Sequence, residues 1–448
     1  MKHVLASAFV LVILAHTAAA QPSPLDGYVA LALRQNPALQ GQRIEAARAG
    51  TDVREALARY RPAVTFDARY TRTSGNTLDF GQLVNPVYGA LNALTGTQNF
   101  PSSVELGLPL RQETKVRVAQ PLFQPALGPN VRLRRALVAS EVAEADALAR
   151  TLAADVQSAY LDVLRARAGA DLLGRTLPLL DENLRVSERL VAAGRATDEV
   201  TSRARAERSA VVQQRDEAVQ NALAAAQNFN RLLDRPLDAP VATMPDSALA
   251  RRFALPDSSV LAGAPDRRSE LDALDAAIGA RRQAERLARA DALPGVAFAL
   301  DYGFQGQDYN FRPSEDYVAA SVVLTWNAFD GFARRARTQG ARLDTDALRA
   351  RRREAERGIE LEIATGYGAA RVAGGAIATA DDRLASARRT YTLVERRYAQ
   401  GAAPQIEVLQ ARTDLTNAET NRLLTFYGAL RRVVALERAA ALRPLPTE

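Results

Sequence analysis

Val156-Gln157-Ser158-Ala159-Tyr160 is answered later in the chain by Ile363-Ala364-Thr365-Gly366-Tyr367. Glu188-Arg189 returns as Glu395-Arg396, Gly194 as Gly401 and Ala204 as Ala411, each pair 207 residues apart (367 − 160, 401 − 194, 411 − 204). A register held that far without insertion means two copies of one helical unit, and a repeat must be read before anything else because it decides the fold. Around these anchors the spacing predicts two very long helices, over about residues 130–193 and 334–400. At 1.5 Å per residue each would extend roughly 95 Å. Leu177, Leu180, Leu184, Ser187 and Val191 follow a 3-4 alternation, as do Leu384, Ala387, Tyr391, Val394 and Tyr398. That alternation is the seam of a coiled coil. Pro178 conflicts with the first long helix and predicts a kink or a 3₁₀ turn there.

Each long helix meets a glycine, Gly194 or Gly401, and a helix start follows at once, at Thr197-Asp198 or Pro404. A helix stopped by glycine and restarted immediately folds back as an antiparallel hairpin. The return arms are expected over about residues 198–233 and 404–440.

Before each long helix the period changes from helical to alternating. Val64, Phe66, Ala68 and Tyr70 alternate with polar residues, as do Val116, Val118, Gln120 and Leu122. In the second copy Val296, Phe298, Leu300, Tyr302 and Phe304 alternate, then Val318, Ala320, Val322, Leu324 and Trp326. Such spacing predicts strands, over about 62–72, 115–124, 294–305 and 316–327. Phe66 to Phe298 is a step of 232 and Phe123 to Phe329 one of 206, so the first hairpin carries 26 extra residues. Loops absorb insertions and packed elements do not. Residues 73–114 therefore read as a surface loop with some local structure. Helices are expected over 25–34 and 37–59, broken at Asn36-Pro37, and residues 265–290 mirror the second of them.

The organisation expected is thus an export segment (1–20), a first repeat (21–233), a connector (234–264), a second repeat (265–442) and a tail (443–448). The export reading rests on Lys2-His3, the apolar stretch 4–15 and the small-residue site Ala18-Ala19-Ala20. Its removal would take both histidines, His3 and His16, and there is no cysteine. A mature chain without His or Cys has no histidine base, thiol nucleophile or His/Cys metal site. No Gly-rich phosphate loop stands out either, so no enzyme activity, cofactor or metal is expected. The basic balance, 58 Lys+Arg against 51 Asp+Glu, comes from arginines interleaved with acids along helices. That reads as a solvated surface and not as a nucleic-acid footprint. Beyond the export segment there is no long apolar run, so only a closed β-barrel could cross a membrane.

Two copies of helix, strand, loop, strand, long helix, glycine tip and return helix resemble the TolC-like outer-membrane efflux family. Local motifs agree: residues 32–39 (Ala-Leu-Arg-Gln-Asn-Pro-Ala-Leu) are similar to its opening helix motif. Residues 120–127 and 326–331 are similar to its strand-to-helix junctions, and 397–401 with 406–411 to its second coil tip. The resemblance implies a mainly α fold with β: coiled-coil helical hairpins and four barrel-forming strands per protomer. It implies a homotrimer sharing a twelve-stranded barrel in outer-membrane lipid. The role implied is a passive exit duct for efflux or type I secretion, partnered by a periplasmic adaptor and, through it, an inner-membrane transporter. It also implies a tunnel constriction at Tyr398, Glu407 and Gln410, where three Glu407 carboxylates would form a cation-favouring ring. Gln410 replaces a second acid, Ala403 replaces a latching arginine, and Val200 takes the place of that arginine's acidic partner. The adaptor-contact tips implied are Ala193, Gly194, Arg195, Gln400, Gly401 and Ala402. The alternating strands put Phe66, Tyr70, Phe298, Leu300, Tyr302, Val322, Leu324 and Trp326 forward as lipid-facing, with the core of a soluble sandwich as the other reading. The competing function is a periplasmic coiled-coil adaptor or scaffold.

Overall fold

The computed structural model describes residues 23–72, 78–103, 107–108, 111–306, 309 and 311–445. The expected export segment lies outside the described residues.

The chain opens with α1 (Pro24–Gln35) and α2 (Pro37–Ala58), and the joint between them is built by one side chain. Pro37 excludes its predecessor from helix. Asn36 then closes α1, and its Oδ1 accepts from the backbone N–H groups of Ala38 (3.0 Å) and Leu39 (3.3 Å), capping α2. Its Nδ2 donates to the Leu232 carbonyl at 2.9 Å, fastening the joint to a distant segment.

Next come β1 (Ala63–Tyr70), the short β2 (Leu78–Asp79), α3 (Phe80–Thr95), the short β3 (Gly107–Leu108) and β4 (Gln112–Phe123). The helix α3 is a finding beyond the expected loop with local structure. Gly81, Asn85 and Pro86 read as breakers, yet Leu83, Val87 and Leu94 keep helical spacing and the helix accommodates Pro86. The long α4 (Leu127–Ala192) runs unbroken for 66 residues, about 100 Å. It continues through Pro178, where a 3₁₀ turn was one of the expected outcomes, with no 3₁₀ segment. After it come α5 (Asp198–Leu232) and the connector, which carries α6 (Asp246–Arg252) and a short 3₁₀ turn (Ser258–Leu261); a second one (Pro265–Arg267) opens the next repeat. The second copy follows as α7 (Ser269–Ala290), β5 (Gly295–Gly306), β6 (Asp316–Thr325), α8 (Ala333–Ala399) and α9 (Gln405–Ala439).

The chain divides into two compact units. One comprises residues 1–40, 147–268 and 358–448. Its core gathers Leu25, Val29, Tyr160, Phe229, Leu249 and Leu436, all buried. Phe229 meets Tyr28 edge-on at 5.0 Å and Tyr160 at 5.7 Å. The Tyr160 hydroxyl donates to the Ala242 carbonyl at 2.9 Å, so this buried phenol keeps a partner. The repeat is visible in the packing. Val156 and Ile363 are both buried, as are Ala204 and Ala411. Tyr367 packs against the same core as its counterpart Tyr160. The coil seam also forms: Leu180, Ser187 and Leu384 are buried, and the remaining seam residues are half-buried.

The other unit comprises residues 41–146 and 269–357 and holds the sheet. Four strands run in the order β1-β4-β5-β6, every neighbour antiparallel. The central pair, β4 with β5, joins the two repeats.

Candidate functional site

Register sorts the strand residues onto two faces. One cross-strand row is Phe66, Val116, Tyr302 and Val318; the next is Val64, Val118, Leu300 and Ala320. Phe298 stands opposite Val322, and Val296 opposite Leu324. Tyr70 and Phe304 share this parity, and Trp326 follows in step one residue beyond β6. This face is apolar yet uncovered: Phe66 is 70% and Val322 68% exposed. Among the described residues these four strands form one sheet, and the two-stranded pair β2–β3 is the other. The core of a soluble sandwich would bury these side chains, and in this chain they are exposed. A large exposed apolar surface marks a partner or a membrane.

The opposite face is charged and internally paired. Arg117 donates through Nε and Nη2 to both carboxylate oxygens of Asp301, each at 2.7 Å. Glu113 accepts from Lys115 (2.6 Å), Arg69 (2.9 Å) and the Tyr317 hydroxyl (3.2 Å). Gly303 lies in the row of Lys115 and Tyr317, and a Cβ placed on it would stand 2.4 Å from the Thr114 carbonyl oxygen. Only glycine fits this close strand approach. The two outer strands, β1 and β6, each have one edge without a strand partner among the described residues.

In the other unit the helical hairpins end in matching turns. Gly194 (φ +67°) donates to the Val191 carbonyl and Arg195 to that of Leu190. Gly401 (φ +72°) donates to the Tyr398 carbonyl and Ala402 to that of Arg397. This paired pattern around a left-handed residue is the Schellman cap, which glycine occupies without steric cost. Ala193, Gly194, Arg195, Gln400, Gly401 and Ala402 therefore form two equivalent exposed turns.

The expected constriction residues do not all meet. Tyr398 is half-buried, and Glu407 pairs with Arg397 at 3.5 Å. Gln410 is exposed and bonds Asp414, one turn further on. Ala403 is buried, and Val200 lines a crevice of about 250 Å³ with Arg203, Ile406 and Leu409. Sequence reasoning missed Arg397, and it missed Gln405, whose Nε2 donates to Asn183 Oδ1 (2.6 Å) and Ser187 Oγ (2.9 Å) on α4. It also missed Arg412, which lies over the Tyr391 ring at 5.5 Å and donates to Thr176 Oγ1 at 3.3 Å. Ser187 was visible as the one polar residue in an apolar seam, and that oddity was the available signal.

Comparison with known proteins agrees with this geometry. The sequence model of the outer membrane efflux protein family matches residues 260–442. No curated protein sequence matches the chain. Among solved structures, CusC is similar with a TM-score of 0.77 at 17% identity, over 93% of this chain and 92% of that one. The CmeC outer membrane channel of Campylobacter jejuni is similar with a TM-score of 0.76 at 15% identity, over 94% and 86%. The outer-membrane channel OprN gives 0.72 at 18%, over 93% and 89%. The outer membrane efflux protein model thus matches the second repeat, and the described chain has the fold of these channel structures.

Proposed function

We propose that this chain is one protomer of a homotrimeric outer-membrane exit duct, passing substrate delivered by a periplasmic adaptor and an inner-membrane transporter. The observation that carries the reading is the four-stranded single-layer sheet with one bare apolar face, one charged face and two unpartnered edges. An unpaired strand edge invites another strand. Lipid tolerates a sheet only when every backbone group is paired, as in a closed barrel. Four strands cannot enclose a wide channel, whereas three copies joined β1 to β6 make twelve strands with no free edge. The apolar face then meets lipid and the charged face lines the lumen. Its counted charges cancel: Arg69, Lys115 and Arg117 against Asp67, Glu113 and Asp301. Such a wall favours neither sign of cargo.

The turns at Gly194 and Gly401 serve as the adaptor contacts, and the region of Tyr398, Glu407 and Gln410 as the tunnel entrance. No step here consumes energy or makes a covalent bond, so the chain acts as a conduit and not as an enzyme. Cysteine pairs in this cysteine-free chain test the assembly. Thr65→Cys combined in turn with Ala319→Cys, Ser321→Cys and Val323→Cys is expected to give a covalent trimer in outer-membrane fractions for at least one register. Monomer throughout, or recovery from the soluble periplasm, sinks the reading in favour of a coiled-coil scaffold.

A further inference from the structure

Where β6 gives way to α8, the last turns of α7 and the first turns of α8 form a groove of about 440 Å³. It is lined by four arginines, Arg289, Arg334, Arg335 and Arg342, against one carboxylate, Glu285. That carboxylate is already paired with Arg289. Arg334 is held in place by donating to the carbonyls of Asp291 (3.1 Å) and Asn327 (3.3 Å). Arg335 and Arg342, two turns apart on α8, are exposed and have no hydrogen bond or ion pair among the described residues. The groove therefore presents uncompensated positive charge.

Its surroundings are apolar and face the membrane side of the sheet. Trp326, in step with Leu324 on the apolar face, donates its indole N–H to the Ala292 carbonyl at 3.1 Å, and Ala292 lines the groove. Phe329 and Phe332 stand edge to face at 5.6 Å, 72% and 69% exposed. Phe332 is held at φ +67°, a conformation that costs a bulky residue about 1–3 kcal/mol. Three exposed aromatics beside unpaired arginines, at the helix-proximal end of a membrane strand, have the composition of a lipid headgroup boundary. Guanidinium groups match phosphate oxygens in charge and geometry.

We propose that this groove binds the phosphate of an anionic phospholipid in the periplasmic leaflet of the outer membrane, with the acyl chains lying over Trp326, Phe329 and Phe332. Charge complementarity and continuity with the lipid-facing strands select a lipid over a soluble anion. The groove anchors the height of the barrel in the bilayer, because arginines that grip the headgroup plane resist movement in either direction.

Native mass spectrometry of the full-length detergent-solubilised assembly tests this with phosphatidylglycerol against phosphatidylcholine of the same acyl chains. Phosphatidylglycerol is expected to remain bound under activation that strips phosphatidylcholine. Arg335→Gln/Arg342→Gln is expected to lower its occupancy at least about tenfold, and the charge-matched control Arg351→Gln/Arg353→Gln to leave it unchanged. Should the first pair fail to fold, Arg342→Cys gives a unique thiol that can be modified after folding. A cationic adduct is then expected to keep the lipid and an anionic adduct to expel it. Equal retention of both lipids, equal loss in the control, indifference to adduct charge, or displacement by millimolar inorganic phosphate each overturns the proposal. The proposal rests on the outer-membrane reading. A chain absent from outer membranes refutes that reading, whereas an outer-membrane chain blind to headgroup charge refutes only this site.

Discussion

Gly303→Ala and Gly358→Ala are the same chemical change, and the structure gives them opposite signs. A Cβ on Gly303 would stand 2.4 Å from the Thr114 carbonyl oxygen, 2.6 Å from Lys115 Cβ and 2.8 Å from Lys115 Cα, where ordinary contact is 3.4–4 Å. Two of these obstacles are backbone, so no rotamer change relieves them. The strands must separate locally by about 1 Å, against a normal interstrand spacing of about 4.8 Å. Overpacking of this kind costs about 1–3 kcal/mol, and two weakened ladder hydrogen bonds add about 1 kcal/mol each. The expected loss is about 3–5 kcal/mol. Gly358 lies within α8 with nothing inside 4 Å of a built Cβ. Alanine there removes the flexibility penalty of a mid-helix glycine and is expected to stabilise by up to about 1 kcal/mol. Thermal unfolding in detergent, followed by far-UV circular dichroism, measures both, and Trp326, the single tryptophan, reports on the sheet. Shifts in the same direction for the two variants, or a wild-type transition for Gly303→Ala, would refute the reasoning.

In the proposed duct, each Glu407 carboxylate would lie beside the Arg397 guanidinium, 3.5 Å away. Single-channel recordings are expected to show cation preference rising in Arg397→Ala and falling in Glu407→Gln; no change in either removes this pair from the conduction path. Gln405→Ala deletes the tie from the start of α9 to Asn183 and Ser187. It is expected to cost about 1 kcal/mol and to increase open-channel dwell, and unchanged gating would limit Gln405 to a local structural role. Burial pushes the Tyr160 hydroxyl up to about 12, from 10.0. Because the folded value lies above the unfolded one, the contribution is complete below pH 10 and is lost as pH rises toward 12. Tyr160→Phe is expected to flatten the alkaline unfolding profile over that window, and a profile parallel to wild type would contradict the assignment.

Legibility in the sequence followed the range of the interaction. The hairpin tips were readable because a left-handed residue at a helix end is almost always glycine, and Gly194 and Gly401 recur at the repeat interval. The faces of the strands were readable because strand side chains alternate with period two whatever the neighbouring strand does. Helix α3 was obscured because its glycines and Pro86 outweighed a weaker helical stripe. The side-chain partners around the Gly401 turn were not readable. Arg397, Glu407 and Gln405 have long, rotatable side chains, and their contacts form only once both hairpins are packed.

Local chemistry, written residue by residue, settled the long helices, the four long strands, the two glycine turns and their recurrence. Tertiary structure alone decided that β4 lies beside β5, so that Arg117 meets Asp301 across 184 positions of sequence. It alone left Arg335 and Arg342 without hydrogen-bond or ion-pair partners among the described residues, in a groove whose Ala292 accepts from Trp326. The physical reason is the same in both cases. Propensity and period act over a few residues, whereas register, charge pairing and exposure depend on what long-range packing brings alongside.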